Sequence, residues 1–330
     1  MRAGFLVLRR LVGLLGVLLA MTLVVFALQR LVPGDAARTL AGPTASNEAV
    51  ERLRDRMGLN DPLPLQYGRY VGGLVRGDLG VSVRTRRPVA EDLREFAPAS
   101  VELMLAALLL GVVAGGAAAL AGRRGGLLRA GLVLLGSAPI FLTGLLLALV
   151  FWFHLDWLPG AGRGMPRGYE PGPTGLFTLD AALAGRPDLL GDALAHLLLP
   201  ATTLAIPLAV AVARTLRGAL DAEMSRPYVR TARSIGLPER RVVLRHALRN
   251  ALGAPLTMVG LQLGLLFANI LIVERIFAWP GLGLYATQSF DASDLPAVLG
   301  VALFLGVIYV MVNALIDAVV AWADPRVRRP

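Results

Sequence analysis

The arginine side chains of residues 214–249 are the groups in this chain whose type and spacing are best suited to chemistry. This stretch, called here the arginine-rich loop, places nine arginines between two apolar segments. A guanidinium group binds a carboxylate in a planar, bidentate geometry, so the loop is suited to docking on an acidic protein surface. Because all 33 basic residues are arginine, a phosphate-binding loop ending in Lys is impossible, and any ATP-driven work needs a nucleotide-binding partner.

Proline and glycine spacing predicts the local structure of the arginine-rich loop. Ser225 caps a helix with Pro227 in its first turn, Gly236 ends that helix in a left-handed conformation, and Pro238 opens a second helix. We therefore expect a helix over about residues 226–235, a sharp break, and an amphipathic helix that leads into the next membrane segment. The predicted docking residues are Tyr228, Arg230, Thr231, Ala232 and Arg233 on the exposed surface of the first helix, with Gly236 at its end.

An alternative function for the loop is electrostatic binding to anionic lipid headgroups. A purely electrostatic loop does not need Pro, Gly and Pro at helix boundaries, so the pattern favours docking on a protein.

The elements that carry this loop are predicted to be membrane helices. A mean hydropathy of +0.63, with 55% hydrophobic and 17% charged residues, is too apolar for a soluble domain of 330 residues. Six apolar runs are close to the roughly 20 residues that a membrane-spanning helix needs. They are residues 11–28, 103–122, 130–153, 197–213, 251–273 and 295–316. The fold class is therefore all-α, with six transmembrane helices.

The fourth run is short and contains Pro200 and Pro207. We expect its helix to begin near Leu194, to include His196, and to be kinked. The kink is either a structural feature or a gating hinge.

Arginines are concentrated before the first run, between the second and third, between the fourth and fifth, and after the sixth. The alternate connections, 154–193 and 274–294, carry more acids than arginines. This pattern predicts that both termini lie in the cytoplasm. The first run is too long for a signal peptide and no clear cleavage site follows it, so we expect an uncleaved membrane helix.

Segments outside the runs have weaker signals. Residues 29–99 are predicted to form a small ordered extracytoplasmic cap, with a helix at 48–57 and turns at 61–64 and 76–80. Residues 154–191 are predicted to be loop. Small residues allow close helix approach, so glycines of the second and third helices are expected to pack against other helices, within or between subunits. These glycines are Gly111, Gly115, Gly116, Gly131, Gly136 and Gly144.

Polar side chains inside the apolar runs are candidates for the transport pathway or for a subunit interface. They are Gln262, Asn269, Asn313 and Asp317, the last two being four residues apart on one helix face. Glu102 and Glu274, near the outer ends of two helices, are expected either to meet substrate or to face water. The three histidines are interpreted as loop and interface residues.

Ordered motifs along the chain resemble one family over essentially its whole length. They include Arg30-Leu31-Val32-Pro33-Gly34-Asp35, Gly77-Asp78-Leu79-Gly80, Tyr228-Val229-Arg230-Thr231-Ala232-Arg233, Arg245-His246-Ala247-Leu248-Arg249-Asn250, Trp279-Pro280-Gly281-Leu282-Gly283 and Asp324-Pro325-Arg326. The chain resembles the permease subunits of bacterial binding-protein-dependent ABC importers, in the dipeptide and oligopeptide group. The resemblance implies a type I importer permease fold with an extra N-terminal helix.

The resemblance also implies a domain plan. It places the first helix at 1–28, an extracytoplasmic segment at 29–99, the transmembrane domain at 100–323 with a cytoplasmic coupling loop at 217–250, and a cytoplasmic tail at 324–330. In this family the coupling helix docks on the ATPase subunit. Here Arg230, Thr231 and Ala232 replace the Glu-Ala-Ala of the general signature, and the usual proline after Asn250 is displaced to Pro255.

Partners and location follow from the same resemblance. It implies a second permease, two ATPase subunits that bind ATP and magnesium, and an extracytoplasmic substrate-binding protein, all at the bacterial inner membrane. The chain itself is expected to be non-catalytic, with no cofactor, no metal site and no nucleic acid.

Other functions remain open at this point. A nickel or metal-chelate importer shares the same architecture. An ion-coupled secondary transporter would need ionisable groups central to its spans, which the six runs lack. A membrane enzyme would need a catalytic motif, and none is present; with no Cys in the chain, thiol nucleophiles and thiolate metal sites are also excluded.

Overall fold

A computed structural model describes residues 2–31, 38, 45–56, 58–121, 126–166 and 172–323. In these ranges the regular structure is helical, and a single isolated bridge pairs Val81 with Pro88. The helices are α1 Arg2–Leu31, α2 Asn47–Arg56, α3 Leu63–Val75, α4 Val89–Leu120, α5 Gly126–Ser137, α6 Ile140–Leu147, α7 Phe177–Leu183, α8 Pro187–Met224, α9 Pro227–Ser234, α10 Glu239–Arg241, α11 Leu248–Ala251, α12 Gly253–Ile276, α13 Leu282–Asp291 and α14 Leu295–Ala323. Two π-helical segments, Ala148–His154 and Val242–Ala247, continue α6 and α10. Several predicted features, including residues 32–35, Arg123, Arg124 and the tail 324–330, lie outside the described residues.

Four of the described helices are long and apolar enough to cross a membrane. They are Val89–Leu120, Pro187–Met224, Gly253–Ile276 and Leu295–Ala314. Two shorter apolar helices, Leu15–Leu28 and Ile140–His154, coincide with parts of the first and third predicted runs.

The third predicted run, 130–153, is not one continuous helix. Pro139 has an extended conformation, with φ of −55° and ψ of 142°, and separates α5 from α6. A proline disfavours helical geometry in the residue before it, which explains why α5 ends at Ser137. The hydropathy pattern does not register this break, because apolar residues continue on both sides.

The described chain divides into two compact units, and the first comprises residues 1–95 and 286–310. Its core joins Val25 of α1 to Leu299 and Leu303 of α14, with Tyr70 and Leu74 of α3 packed against them. The predicted helix at 48–57 is confirmed as α2. Helix α3 is absent from the sequence prediction, which places a turn at 61–64; Pro62 caps the helix and Pro64 lies in its first turn, where a missing amide hydrogen costs little.

The second unit comprises residues 96–285 and 311–330, and α8 runs through its centre. This helix packs against α5, α6, α7 and α12. It buries Leu204, Leu208 and Val212 in a core that also contains Ile270 of α12. Pro200 and Pro207 lie within α8, which continues through both positions and begins at Pro187, before the predicted start. Residues 154–191, predicted to be loop, also include α7.

Four of the six predicted glycines lie at close contacts between helices. A Cβ atom would meet Leu208 at Gly111, Ala209 and Val212 at Gly115, Val210 at Gly136, and Thr203 at Gly144. Gly116 and Gly131 lie at no such contact within the chain, since a Cβ atom at either position would meet nothing within 4 Å, so their packing between subunits stays a prediction. Helix periodicity places adjacent glycines on different faces, so composition alone does not reveal which one is in the contact.

We predict that Gly115→Ala destabilises the protein and that Gly116→Ala does not. A Cβ atom at position 115 would lie 2.6 Å from the carbonyl oxygen of Ala209 and 2.8 Å from the Cβ atom of Val212. Forcing the two helices apart is expected to cost about 1–3 kcal/mol in the free energy of unfolding. Thermal unfolding of the purified protein in detergent, followed by circular dichroism, measures the difference. Equal stability of the two variants would contradict the packing of α4 against α8.

Candidate functional site

The arginine-rich loop folds around a short helix, Pro227–Ser234, called here the loop helix. Arg226 precedes it in an extended conformation, and Pro227 takes the first helical position, as the spacing predicts. The predicted cap Ser225 is wrong: its hydroxyl donates to the carbonyl oxygen of Ala222 at 2.8 Å and ends α8 instead. Gly236 has a φ of 80°, which confirms the predicted left-handed end of the loop helix.

One face of the loop helix is buried. Val229 and Ala232 pack against Val242, with Met224 and Leu237 beside them. Ala232 was predicted to be exposed, and this prediction is wrong, because a short surface helix must bury one stripe and residues three apart lie on the same face. The small alanine side chain permits the close approach.

The opposite face of the loop helix is exposed and cationic. It presents Tyr228, Arg230, Thr231 and Arg233 to the surroundings. The Arg233 guanidinium group donates to both carboxylate oxygens of Glu239, at 3.0 and 2.6 Å, and this hydrogen bonding holds the pKa of the Glu239 carboxyl below its usual range. Within the part of the chain that the structure describes, Arg230 makes no ion pair, so its guanidinium group is available to a carboxylate on a partner.

After Gly236, three short helical pieces connect the loop helix to α12. Glu239–Arg241, Val242–Ala247 and Leu248–Ala251 lead into α12, which confirms the predicted second helix. Pro255 lies in the first turn of α12, where a proline is tolerated because its amide would be unpaired.

The predicted pathway residues belong to the helices α12 and α14 and not to the arginine-rich loop. Gln262 and Asn269 are seven residues apart on α12 and therefore on one face, where both are partly buried. Asn313 is partly buried on α14. Asp317 lies on the same helix, but its side chain is outside the described part of the structure. Their assignment to a pathway or a subunit interface stays a prediction.

A second polar site involves Glu274, which was expected to meet substrate or to face water. The Glu274 side chain is 0% exposed, so it does not face water. Its carboxylate accepts hydrogen bonds from the Ser100 hydroxyl at 2.6 Å and from the backbone amides of Gly283 and Leu284 at 2.6 and 3.1 Å. The amides belong to the first turn of α13, where the helix dipole favours a negative charge.

Glu102 is also buried, close to Ser100 on α4. One of its carboxylate oxygens accepts from Arg163, whose Nε lies at 2.8 Å, and the other accepts from the amide and hydroxyl of Thr178 at 2.6 and 2.5 Å. Arg163 donates in addition to the carbonyl oxygen of Gly175 at 2.9 Å. This buried network therefore holds Arg163, Gly175 and Thr178 close to α4.

Trp279 connects the two carboxylate sites. Its indole N–H donates to the carbonyl oxygen of Ala99 at 2.9 Å, and the Arg163 guanidinium group lies 5.9 Å from the centre of its ring. Ala278, just before it, has a φ of 46°, in the left-handed region that L-residues rarely adopt. A Cβ atom at Gly281 would lie 2.2 Å from the Glu274 carboxylate, so a larger residue here would displace that carboxylate from its hydrogen bonds.

Sequence reasoning identified the Trp279 motif and both glutamates, but it missed their partners. Ser100, Arg163 and Thr178 carry no motif of their own, and Ser100 is separated from Glu274 by 174 residues. Only the rule that buried charges need partners provides a signal, and it does not say which partners.

Long apolar helices, tight glycine contacts and an exposed cationic loop define an all-α, multi-pass membrane protein. Family comparison identifies it further. The family described as binding-protein-dependent transport system inner membrane component matches residues 107–329, and the N-terminal region of such components matches residues 3–103. The chain belongs to this family of transport permeases.

Its curated relatives are similar over nearly their full length. The chain is 42% identical over 325 residues to the "Probable D,D-dipeptide transport system permease protein" of Escherichia coli, covering 96% of this chain and 95% of the relative. It is 40% identical over 335 residues to a di/tripeptide transport system permease of Pseudomonas aeruginosa, covering 97% of each. It is 35% identical over 328 residues to a glutathione transport system permease of Salmonella paratyphi A, covering 98% of each.

We predict that Arg163→Met strongly destabilises the fold. Removing the cation leaves the Glu102 charge buried, where its side chain is 4% exposed, and loss of one partner of such a pair typically costs about 3–5 kcal/mol. The matched control is Arg186→Met, since the ion pair of Arg186 with Asp188 is more than half exposed and such pairs, screened by solvent, add little to stability. Thermal unfolding in detergent compares the two. A small, equal effect of both substitutions would contradict the buried network.

Proposed function

We propose that this chain forms half of the translocation pathway of an ATP-driven importer for di- and oligopeptides. The family description supports a membrane component that works with a binding protein. The names of the relatives, which specify dipeptides, di- and tripeptides and glutathione, support a peptide substrate. In this proposal the chain is non-catalytic, and ATP and magnesium are bound by partner ATPase subunits.

The proposed topology has six transmembrane helices with both termini in the cytoplasm. The four long apolar helices and the two shorter ones support six spans. The distribution of arginines supports the orientation, since cytoplasmic connections of membrane proteins are enriched in Arg. The arginine-rich loop then lies on the cytoplasmic side.

The exposed cationic face of the loop helix is the observation that carries the proposal. Tyr228, Arg230, Thr231 and Arg233 project from a helix whose other face is anchored by Val229 and Ala232. A rigid helix with guanidinium groups on its outer face fits an acidic groove on another protein. We assign the ATPase subunit as that partner.

The proposed mechanism is alternating access. An extracytoplasmic binding protein delivers substrate to a pathway between this chain and a second, related permease, and two ATPase subunits drive the change from inward-facing to outward-facing. ATP must bind one conformation better than the other, because a ligand shifts an equilibrium only through differential affinity. Gln262, Asn269, Asn313 and Asp317 are proposed to line the pathway or the interface between permeases.

We predict that reversing the charge at both Arg230 and Arg233 abolishes uptake and leaves membrane insertion intact. Like charges that face each other across an interface cost several kcal/mol, so ATPase subunits retained by the tagged permease should fall about tenfold or more. Because Arg233 also pairs with Glu239, a second variant adds Glu239→Arg to restore the internal ion pair. It should dock as poorly as the first.

The control reverses two exposed arginines in the segment predicted to lie outside, Arg76→Glu and Arg94→Glu. It makes the same change in net charge and should retain the ATPase subunits. Co-purification in mild detergent measures retention for all variants. Normal retention and uptake in the loop variants would reject docking, and loss of binding only to anionic vesicles would favour the lipid function.

A further inference from the structure

The Tyr228 hydroxyl lies where three elements of the second unit meet. It donates to the Glu223 carboxylate at 2.7 Å, and Glu223 lies in the last turn of α8. It also accepts from the side-chain amide of Asn250 at 3.2 Å, and Asn250 lies in α11, which leads into α12. One phenol oxygen therefore joins the loop helix to the ends of two membrane helices.

The chemistry of the phenol suits both bonds at once. A hydroxyl group donates one hydrogen bond and keeps lone pairs that accept others. Burial raises the pKa of the Tyr228 hydroxyl, and the neighbouring Glu223 carboxylate raises it further. The group therefore stays protonated at neutral pH and keeps its donor role.

Glu223 is itself well placed as an anchor. Its side chain is only 19% exposed, and the Arg226 guanidinium group lies 3.8 Å from its other carboxylate oxygen. A hydrogen bond to a carboxylate is stronger than one between neutral groups. The Tyr228 contact to α8 is therefore the stronger of its two hydrogen bonds.

Apolar packing alone does not supply this connection. Val229 and Ala232 hold the loop helix against Val242 and Met224, but such contacts are non-directional and allow the helix to rotate or slide. Hydrogen bonds have a preferred distance and angle, so they set the orientation of the loop helix. The two helices joined through Tyr228, α8 and α12, also pack along each other.

We propose that Tyr228 is a positioning residue, whose hydroxyl transmits displacement of the loop helix to α8 and α12 together. Arg230 and Arg233 then provide contact with the ATPase subunit, and Tyr228 provides the mechanical connection behind that contact. This inference rests on the proposed function, since it needs a partner that moves the loop helix.

The test is Tyr228→Phe, which removes the hydroxyl and keeps the ring. The complete transporter, with its ATPase subunits, second permease and binding protein, is reconstituted in proteoliposomes, and dipeptide uptake and ATP hydrolysis are measured on the same vesicles. We expect uptake per ATP hydrolysed to fall about tenfold or more, because the substitution removes a hydrogen bond to a carboxylate as well as the bond from Asn250. Retention of the ATPase subunits is measured on the same vesicles, and uptake is normalised to the subunits retained, because the Tyr228 ring also lies on the exposed face of the loop helix.

The matched control is Ser234→Ala. Its hydroxyl donates at 2.9 Å to the carbonyl oxygen of Thr231 inside the loop helix, so its loss breaks no connection to a membrane helix. Uptake per ATP should remain that of the native chain. A further variant, Asn250→Ala, removes one partner of Tyr228 and should add little to Tyr228→Phe, because coupled residues are not additive.

An unchanged uptake-to-hydrolysis ratio in Tyr228→Phe overturns the positioning role. A fall in uptake that is fully accounted for by loss of ATPase subunits also overturns it, because the hydroxyl would then act only in docking. Fully additive effects of Tyr228→Phe and Asn250→Ala argue against a shared connection. A native chain that retains no ATPase subunit rejects the proposed function and this inference with it, whereas failure in the variant alone rejects only the inference.

Discussion

The packing of α8 against its neighbours is the interaction on which the second unit depends. This helix has 38 residues, which corresponds to a length of about 57 Å. A bilayer hydrocarbon core is only about 30 Å thick, so the helix is long enough to extend well beyond it. Its apolar residues fill the core of the unit, and its last turn supports the loop helix through Glu223. One continuous element therefore connects the packed interior to the exposed cationic surface.

The helix α12 joins two different kinds of polar site at its opposite ends. Near Ile276, buried carboxylates are satisfied by internal donors, because an unpaired charge in an apolar interior is very costly. Near Gly253, arginines remain exposed and available to a partner. Internal hydrogen bonds therefore make the end of α12 near Ile276 rigid. The end near Gly253 is suited to binding a partner. A rigid helix between these two ends suits the proposed transmission of movement from an ATPase subunit.

The loop helix uses one face for the proposed partner and the opposite face for packing against its own chain. Its outer face carries the arginines, and its inner face carries Val229 and Ala232, so a change in the partner contact need not alter the anchor. Membership of the binding-protein-dependent transport family gives this arrangement its functional setting. The proposed role of Tyr228 adds directional hydrogen bonds to an otherwise non-directional apolar contact.

Features with a local cause were determined by the sequence alone. Apolar runs predicted the long membrane helices, and Pro227 and Gly236 predicted the bounds of the loop helix, because hydropathy and backbone restrictions act within a few residues. The sequence prediction missed the break at Pro139 because apolar residues continue on both sides of it. It missed the start of helix α3 because the prolines at 62 and 64 were interpreted as a turn. The tertiary structure alone decided the burial of Ala232, the contacts of Gly115 but not Gly116, and the partners of Glu102 and Glu274. These depend on groups far apart in the chain, and a residue type does not specify which distant element it will face.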